Sequence, residues 1–250
     1  MNPSKFEKLK YVGSILNKLR KSYEEMMNIP IKKTDSQFKK NEKIKKKMIG
    51  TFIFLIDTCL FRPGTYKNSK KFSTYGATTL NSKHIHIKNR CVEIKFVGKK
   101  QKMNGCSVCR DNKVLVRNIL LFKKNKHLFN KKHNAERVIR VINDKSVNEF
   151  DFTITPKDIR TWGANVYALL YHDELLKKKG NSSVNSIVRN VSRKLSNTPR
   201  VAKEYYIHPE ILSFLKKNKY RPFIAVKSER NIRNYEVLLG KILNDSKISP

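Results

Sequence analysis

The sequence predicts an α+β fold, a mainly helical body with one small three-stranded antiparallel sheet, and three observations predict it. Apolar residues recur at helical spacing near the start, the period drops to two in one short stretch, and helical spacing then returns. Phe6, Leu9, Val12, Ile15, Leu16 and Leu19 share one face of a helix over about 6–27. A polar, lysine-rich stretch over 32–47 blends into a second helix holding Ile49 to Leu60, which Pro63-Gly64 ends. The segment from Tyr66 to Tyr75 reads as irregular and basic. His84–Ile87, Val92–Val97 and Gln101–Cys109 alternate as strands, with Gly98-Lys99-Lys100 turning the second into the third. Helices are expected over roughly 113–122, 134–143, 156–176, 181–196, 199–217 and 230–244. Thr155-Pro156-Lys157-Asp158 offers an N-cap, a proline in the first helical position and an acid at the positive end of the dipole; Thr198-Pro199 repeats the cap and proline. One domain is expected over 1–250: an N-terminal helical part with a basic linker over 1–48, the sheet over 84–109 and a helical body over 113–250.

Charge narrows the partners. The 250 residues hold 55 Lys+Arg against 20 Asp+Glu, a formal charge of +35. A compact chain so charged repels itself unless it meets a polyanion, and the excess is far beyond what solubility needs. Nucleic acid is the natural partner, bound through phosphate neutralisation that weakens steeply with salt. Residues 1–20 are charged throughout, unlike a secretory signal. The most apolar stretch, Met48–Phe61, is too short for a bilayer and contains Asp57, so no membrane partner is expected. Of the four cysteines only Cys106 and Cys109 have metal-like spacing, and no second pair accompanies them, so neither metal nor cofactor is expected. The cysteines read as buried or strand thiols of a reducing compartment, and the chain as intracellular. There is no glycine-rich phosphate loop.

Six segments resemble, in order and approximate spacing, the motifs of type IB DNA topoisomerases. They are Leu60-Phe61-Arg62-Pro63-Gly64; Tyr75-Gly76-Ala77-Thr78-Thr79-Leu80 with His84-Ile85; Lys95-Phe96-Val97-Gly98-Lys99; Lys157-Asp158-Ile159-Arg160-Thr161-Trp162-Gly163; Asn197-Thr198-Pro199; and Tyr206-Ile207-His208-Pro209. The likeness covers about residues 4 to 215, is nearest the compact poxviral and bacterial branch, and implies the fold of the DNA breaking–rejoining enzymes.

The resemblance implies relaxation of supercoiled DNA by transient single-strand cleavage, in which a tyrosine hydroxyl attacks a phosphodiester and reversal reseals the strand. A 3′-phosphotyrosyl bond stores the energy, so neither ATP nor metal is needed. By the same resemblance Tyr206 is the nucleophile, Arg62 and Arg160 clamp the non-bridging oxygens, and Lys99 is the general acid. Asn197 stands where many members have histidine. These residue types suit that chemistry. A tyrosine of pKa ~10 is only about 0.1% ionised at neutral pH, so fixed cations must stabilise the charge that develops. Guanidinium forks donate two parallel hydrogen bonds and never lose their charge, whereas asparagine donates one neutral bond. Lys100 competes with Lys99, and Tyr205 with Tyr206; motif register selects Lys99 and Tyr206. Lys67, Lys70, Lys71, Tyr75, Lys83, Lys157 and Lys203 are the expected DNA contacts, which position the duplex without reading sequence. Trp162 reads as core packing, and His84 as structural or a DNA contact.

The family's compact branch carries an N-terminal strand-rich domain ahead of this region. No counterpart of it is expected here, which implies a reduced enzyme, a truncated product or half of a split pair with a separately encoded clamp domain; the chain itself is expected to act as a monomer on double-stranded DNA. Two other readings compete. A tyrosine recombinase typically has histidine three residues before the second arginine, where Lys157 stands here. A catalytically inert DNA binder would account for Asn197, though not for retention of the other site residues.

Overall fold

The computed structural model describes residues 6–88, 91–109, 113–124, 132–147, 152–218, 223 and 231–244. It contains the expected α+β fold. The helices are α1 (Leu9–Asn28), α2 (Gln37–Cys59), α3 (Tyr66–Lys71), α4 (Lys113–Lys124), α5 (Asn134–Val147), α6 (Pro156–Lys179), α7 (Val184–Lys194), α8 (Pro199–Tyr205), α9 (Pro209–Lys217) and α10 (Ile232–Asn244). The sheet is β1 (Ile85–Lys88), β2 (Cys91–Gly98) and β3 (Lys102–Val108), antiparallel in that spatial order. The chain divides into two compact units, one made of the residues up to Ser14 with those from Lys157 onward, the other of Ile15–Pro156.

In the unit formed by Ile15–Pro156, the apolar stripe of α1 continues through Ile15, Leu16, Leu19, Tyr23 and Met27, all buried. It meets Phe52, Ile53, Leu55 and Ile56 of α2 in one core, with Leu115, Ile119 and Phe122 of α4 and Val138 and Ile142 of α5. α2 packs on α4 and α5, and α4 on β2. Strand alternation is visible in β2, where Val92, Ile94 and Phe96 are buried and Lys95 is exposed. Ile85 pairs with Ile94, and Phe96 with Asn104. The lysine-rich residues before Met48 prove to be the first half of α2, begun by Ser36, whose Oγ accepts from Lys39 N at 3.3 Å. A bidentate pair ties α1 to α2: Arg20 donates to Asp57 at 2.7 and 3.0 Å, and Tyr23 Oη donates to the same carboxylate at 3.0 Å. Burial beside Asp57 holds the Tyr23 phenol well above its ordinary range.

The other unit is built on α6. Ile159, Trp162, Val166 and Leu169 are buried, as are Ile187, Val188 and Val191 of α7 and Ile211 and Leu215 of α9. Trp162 is core, as expected: a Cβ on Gly13 of α1 would lie 2.7 Å from its ring, and its Nε1 donates to Glu236 at 3.4 Å. Asp173 accepts from Tyr235 Oη at 3.0 Å and from Phe223 N at 2.9 Å, joining α6 to α10.

Three expectations are corrected. Tyr66–Lys71 is a short helix, capped by Thr65 Oγ1 accepting from Asn68 N at 3.3 Å; only Ser69 of it is buried, so no apolar period marks it. The helix expected over 199–217 is two helices. Pro209 has no N–H to give and bars its predecessor from helical angles, so His208 is extended (φ −66°, ψ 138°) and α8 stops at Tyr205. The cysteines are not free thiols: Cys59 is bonded to Cys106 and Cys91 to Cys109. That occupies the sulfurs of the metal-spaced pair, and no cluster of metal-binding side chains is found among the described residues. No helix among them is long and apolar enough to cross a membrane.

Lys47 is a buried ammonium, 4% exposed, donating to Met27 O at 2.7 Å where α1 ends. Burial, helped by Arg117, lowers its pKa from 10.5 to about 8. Between those values the unfolded chain binds the extra proton, so stability rises with pH across that window and is flat below it. Urea midpoints of the native chain and Lys47→Met, taken from pH 7 to 10.5, should therefore diverge in favour of the native chain above pH 8. A difference independent of pH would refute this.

Candidate active site

In the unit built on α6, the described structure brings Arg160 and Tyr206 together. Arg160, 3% exposed, donates from Nη1 to Tyr206 Oη at 2.7 Å and from Nη2 to the Leu195 carbonyl at 3.2 Å. Its guanidinium carbon also lies 5.1 Å from the centre of the Tyr206 ring. Tyr206 follows the last residue of α8 as its cap, its N–H still on Ala202 O at 3.1 Å, and its ring is buried at 6% exposure. Tyr205, its rival in sequence, is 50% exposed. Asn197 follows α7: its N–H donates to Ser192 O at 2.8 Å, and its carboxamide nitrogen is shielded from solvent. Thr198 then caps α8 by accepting from Val201 N at 3.3 Å, with Pro199 in the first turn as expected. Lys157 and Lys203 are exposed.

Sequence reasoning missed Asn165, which lies five positions after Arg160 on α6 and is fully buried. Its Nδ2 donates to Thr161 O and to Tyr206 O, and its Oδ1 accepts from His208 N, all at 2.8 Å. One carboxamide thus holds both flanks of the junction between α8 and α9. Nothing in local sequence signals this, since a lone asparagine within a helix carries no motif. His208 is occupied structurally: its Nδ1 accepts from Glu210 N at 3.2 Å to cap α9, and its ring meets Phe6 edge-on at 4.8 Å.

The other unit carries Arg62 and Lys99. Arg62 is half-buried and follows Leu60, whose left-handed backbone (φ 55°) ends α2. Its segment is clasped by the turn over 76–79: Ala77 N donates to Arg62 O at 2.8 Å, Thr78 N to Pro63 O at 2.7 Å, and Thr78 Oγ1 to Pro63 O and Gly64 O at 2.8 and 3.0 Å. Gly76 is required by close approach, because a Cβ there would strike Arg62 O. Lys99 and Lys100 are both exposed at the tip between β2 and β3, where Lys100 and Gln101 take left-handed angles (φ 60° and 56°). A Cβ on Gly98 would collide with the Asn104 carboxamide, so a larger residue there would have to displace that side chain. The segment after α3 leans on this hairpin: Tyr75 N donates to Val97 O at 2.8 Å, and Gln101 Nε2 to Phe72 O at 3.4 Å.

Lys67, Lys70, Lys71 and Lys83 are exposed; Lys70 and Lys71 lie 5.5 and 5.2 Å over the rings of Tyr66 and Phe72. Tyr75 is half-buried, its ring 4.3 Å from that of His84. His84 accepts from Asn81 N at 3.0 Å, and burial together with Lys83 lowers its pKa to about 4. It is therefore neutral at pH 7.

A family model described as eukaryotic DNA topoisomerase I, catalytic core, matches residues 1–222. The chain is 27% identical over 175 residues to DNA topoisomerase 1 of Rabbit fibroma virus (strain Kasza), covering 67% of this chain and 53% of that protein. It is 24% identical over 192 residues to DNA topoisomerase 1B of Acanthamoeba polyphaga mimivirus, covering 70% and 56%. To DNA topoisomerase I of Monkeypox virus it is 25% identical over 206 residues, covering 79% and 60%. The chain thus spans 53% to 60% of the length of these relatives.

Replacing Asn165 by leucine strands one carbonyl, that of Tyr206, and one N–H, that of His208, in the interior, while Thr161 O keeps its helical bond. Each orphaned buried group costs about 1–3 kcal/mol, partly relieved by relaxation, so Asn165→Leu should lose about 2–4 kcal/mol in urea unfolding. A loss below about 0.5 kcal/mol would mean that the α8–α9 junction is held by something else.

Proposed function

The chain belongs to the type IB DNA topoisomerases, and from that premise we propose that it relaxes supercoiled double-stranded DNA through a covalent bond between Tyr206 and a 3′-phosphate. The observation that carries this reading is the 2.7 Å hydrogen bond from the buried Arg160 to Tyr206 Oη. Of the chain's ten tyrosines, Tyr206 is also the one the motif order selects.

Tyr206 Oη attacks phosphorus in line with the 5′-oxygen. The phosphorus–oxygen bond to the 5′-oxygen breaks and the tyrosyl ester forms. Arg160 donates to the phenol oxygen in the free chain, a charge-assisted bond that becomes an ion pair as the phenol proton passes to water. When phosphate enters, the same fork serves the non-bridging oxygens, where charge gathers in the pentacoordinate transition state. The reading assigns Arg62 to those oxygens as the second clamp, Asn197 as a neutral donor, and Lys99 as the acid that protonates the departing 5′-oxygen. For these three the support is the motif order, together with the clasp that fixes the backbone at Arg62 and the exposed tip that carries Lys99. The 5′-hydroxyl later attacks the tyrosyl ester and restores the strand, so one phosphoester replaces another and no ATP enters. Lys67, Lys70, Lys71, Lys83, Lys157 and Lys203 are assigned to backbone phosphates on the strength of their exposure, and half-buried Tyr75 to a contact with the duplex.

Purified chain mixed with supercoiled plasmid in EDTA, without ATP, should relax it, and a denaturing gel should reveal a covalent protein–DNA adduct. Tyr206→Phe should abolish both while retaining DNA binding, and Tyr205→Phe should keep both. An adduct that survives Tyr206→Phe would overturn the assignment.

Single-turnover cleavage by Arg160→Ala should slow about 10²–10³-fold, the usual effect of removing one donor to a transition-state oxyanion. A loss smaller than about threefold would remove Arg160 from the chemistry.

A further inference from the structure

The unit formed by Ile15–Pro156 holds all four cysteines, and all are bonded. Cys59, the last residue of α2, is joined to Cys106 in β3, with Cα atoms 5.7 Å apart across 47 residues of sequence. Cys91, the first residue of β2, is joined to Cys109 just past β3, with Cα atoms 4.1 Å apart. Sheet register sets up the second pair unaided: Val92 stands opposite Val108, so Cys91 and Cys109 continue the same ladder. The first bond ties the helix end entering Arg62 to the strand that leaves the Lys99 tip. The second closes the open end of that hairpin. Exposure separates the two, since Cys59 is 1% exposed whereas Cys109 is at the surface, its Sγ 3.2 Å from Ser107 Oγ.

We infer that the two pairs form a thiol–disulfide exchange site for a small-molecule thiol/disulfide couple of the glutathione class, with Cys109 as the sulfur that meets it first. Oxidation then stiffens the unit that bears Arg62 and Lys99. In the oxidising direction the Cys109 thiolate attacks one sulfur of the small disulfide RSSR; a protein–S–S–R bond forms and RS⁻ leaves. The Cys91 thiolate then attacks the Cys109 sulfur, the mixed disulfide breaks and a second RS⁻ leaves. Two protein thiols and RSSR become one protein disulfide and two RSH, the thiol protons passing to the released thiolates and two electrons to the small disulfide. Cys106, half-buried, and Cys59 repeat the sequence more slowly, because access limits attack. Each bond restricts the unfolded chain, and the 47-residue closure does so more than the 18-residue one.

The test uses the full chain and no DNA, so its outcome is independent of the topoisomerase reading. Chain oxidised with glutathione disulfide is given reduced glutathione, sampled over time, alkylated and mapped by mass spectrometry. The expected result is no alkylation at the start, pairings 59–106 and 91–109 in the peptide map, and release of Cys91 and Cys109 before Cys59 and Cys106. The thermal midpoint should fall by roughly 8–30 °C on full reduction. Cys109→Ser should remove only the early step. Four alkylatable thiols after oxidation, other pairings, the reverse order of release, or a midpoint unmoved by reduction would overturn the inference.

Discussion

A guanidinium at 3% exposure has to find acceptors for its donors, and the unit built on α6 is organised around that demand at Arg160. One nitrogen uses the carbonyl that α7 leaves open at Leu195, and another uses the phenol oxygen of Tyr206. Satisfying the cation therefore couples the end of α7 to the residue that follows α8. Trp162, two positions along α6, is packed on Gly13 of α1, and Asn165 holds the backbone of Tyr206 and His208. A single helix thereby fixes the tyrosine at its hydroxyl and at its main chain.

The hairpin of the second unit works differently. Its tip is presented by backbone geometry, with Gly98 pressed against Asn104 and two non-glycine residues in left-handed angles. Such angles cost energy that the paired strands on either side must offset. The tip is thus placed by the ladder from Val92↔Val108 to Gly98↔Lys102, while its lysines stay exposed. Arg62 belongs to a third style, a half-buried side chain on a loop whose carbonyls are clasped by Ala77 and Thr78.

How much of this was legible in the sequence depended on whether the responsible force has a local signature. Hydrophobic period revealed the helices and the sheet, because burial of Leu16, Ile53, Ile94 and Val188 repeats at the interval of the element that carries it. Motif order singled out Arg160 and Tyr206, which do meet. Asn165 was illegible, since its three hydrogen bonds join positions up to 43 apart. The disulfides were illegible for a similar reason: Cys59 and Cys106 become neighbours only once α2 and β3 are packed. The break before Pro209 does have a local signature, because a proline's steric reach extends back through its predecessor, here His208, as well as forward.

That break makes the distance along the chain from Thr198 to Pro209 a ruler. Cap and proline fix one end of α8, the second proline fixes the other, and neither end can slide. Each residue added or removed between them would swing the aromatic ring about 100° around the helix axis and shift it by about 1.5 Å, away from the arginine it faces. Apart from Lys203, the exposed positions over 200–205 are then free to vary in identity, yet the stretch is bound in length. Among natural variants of this chain, substitutions should accumulate there while insertions and deletions are purged.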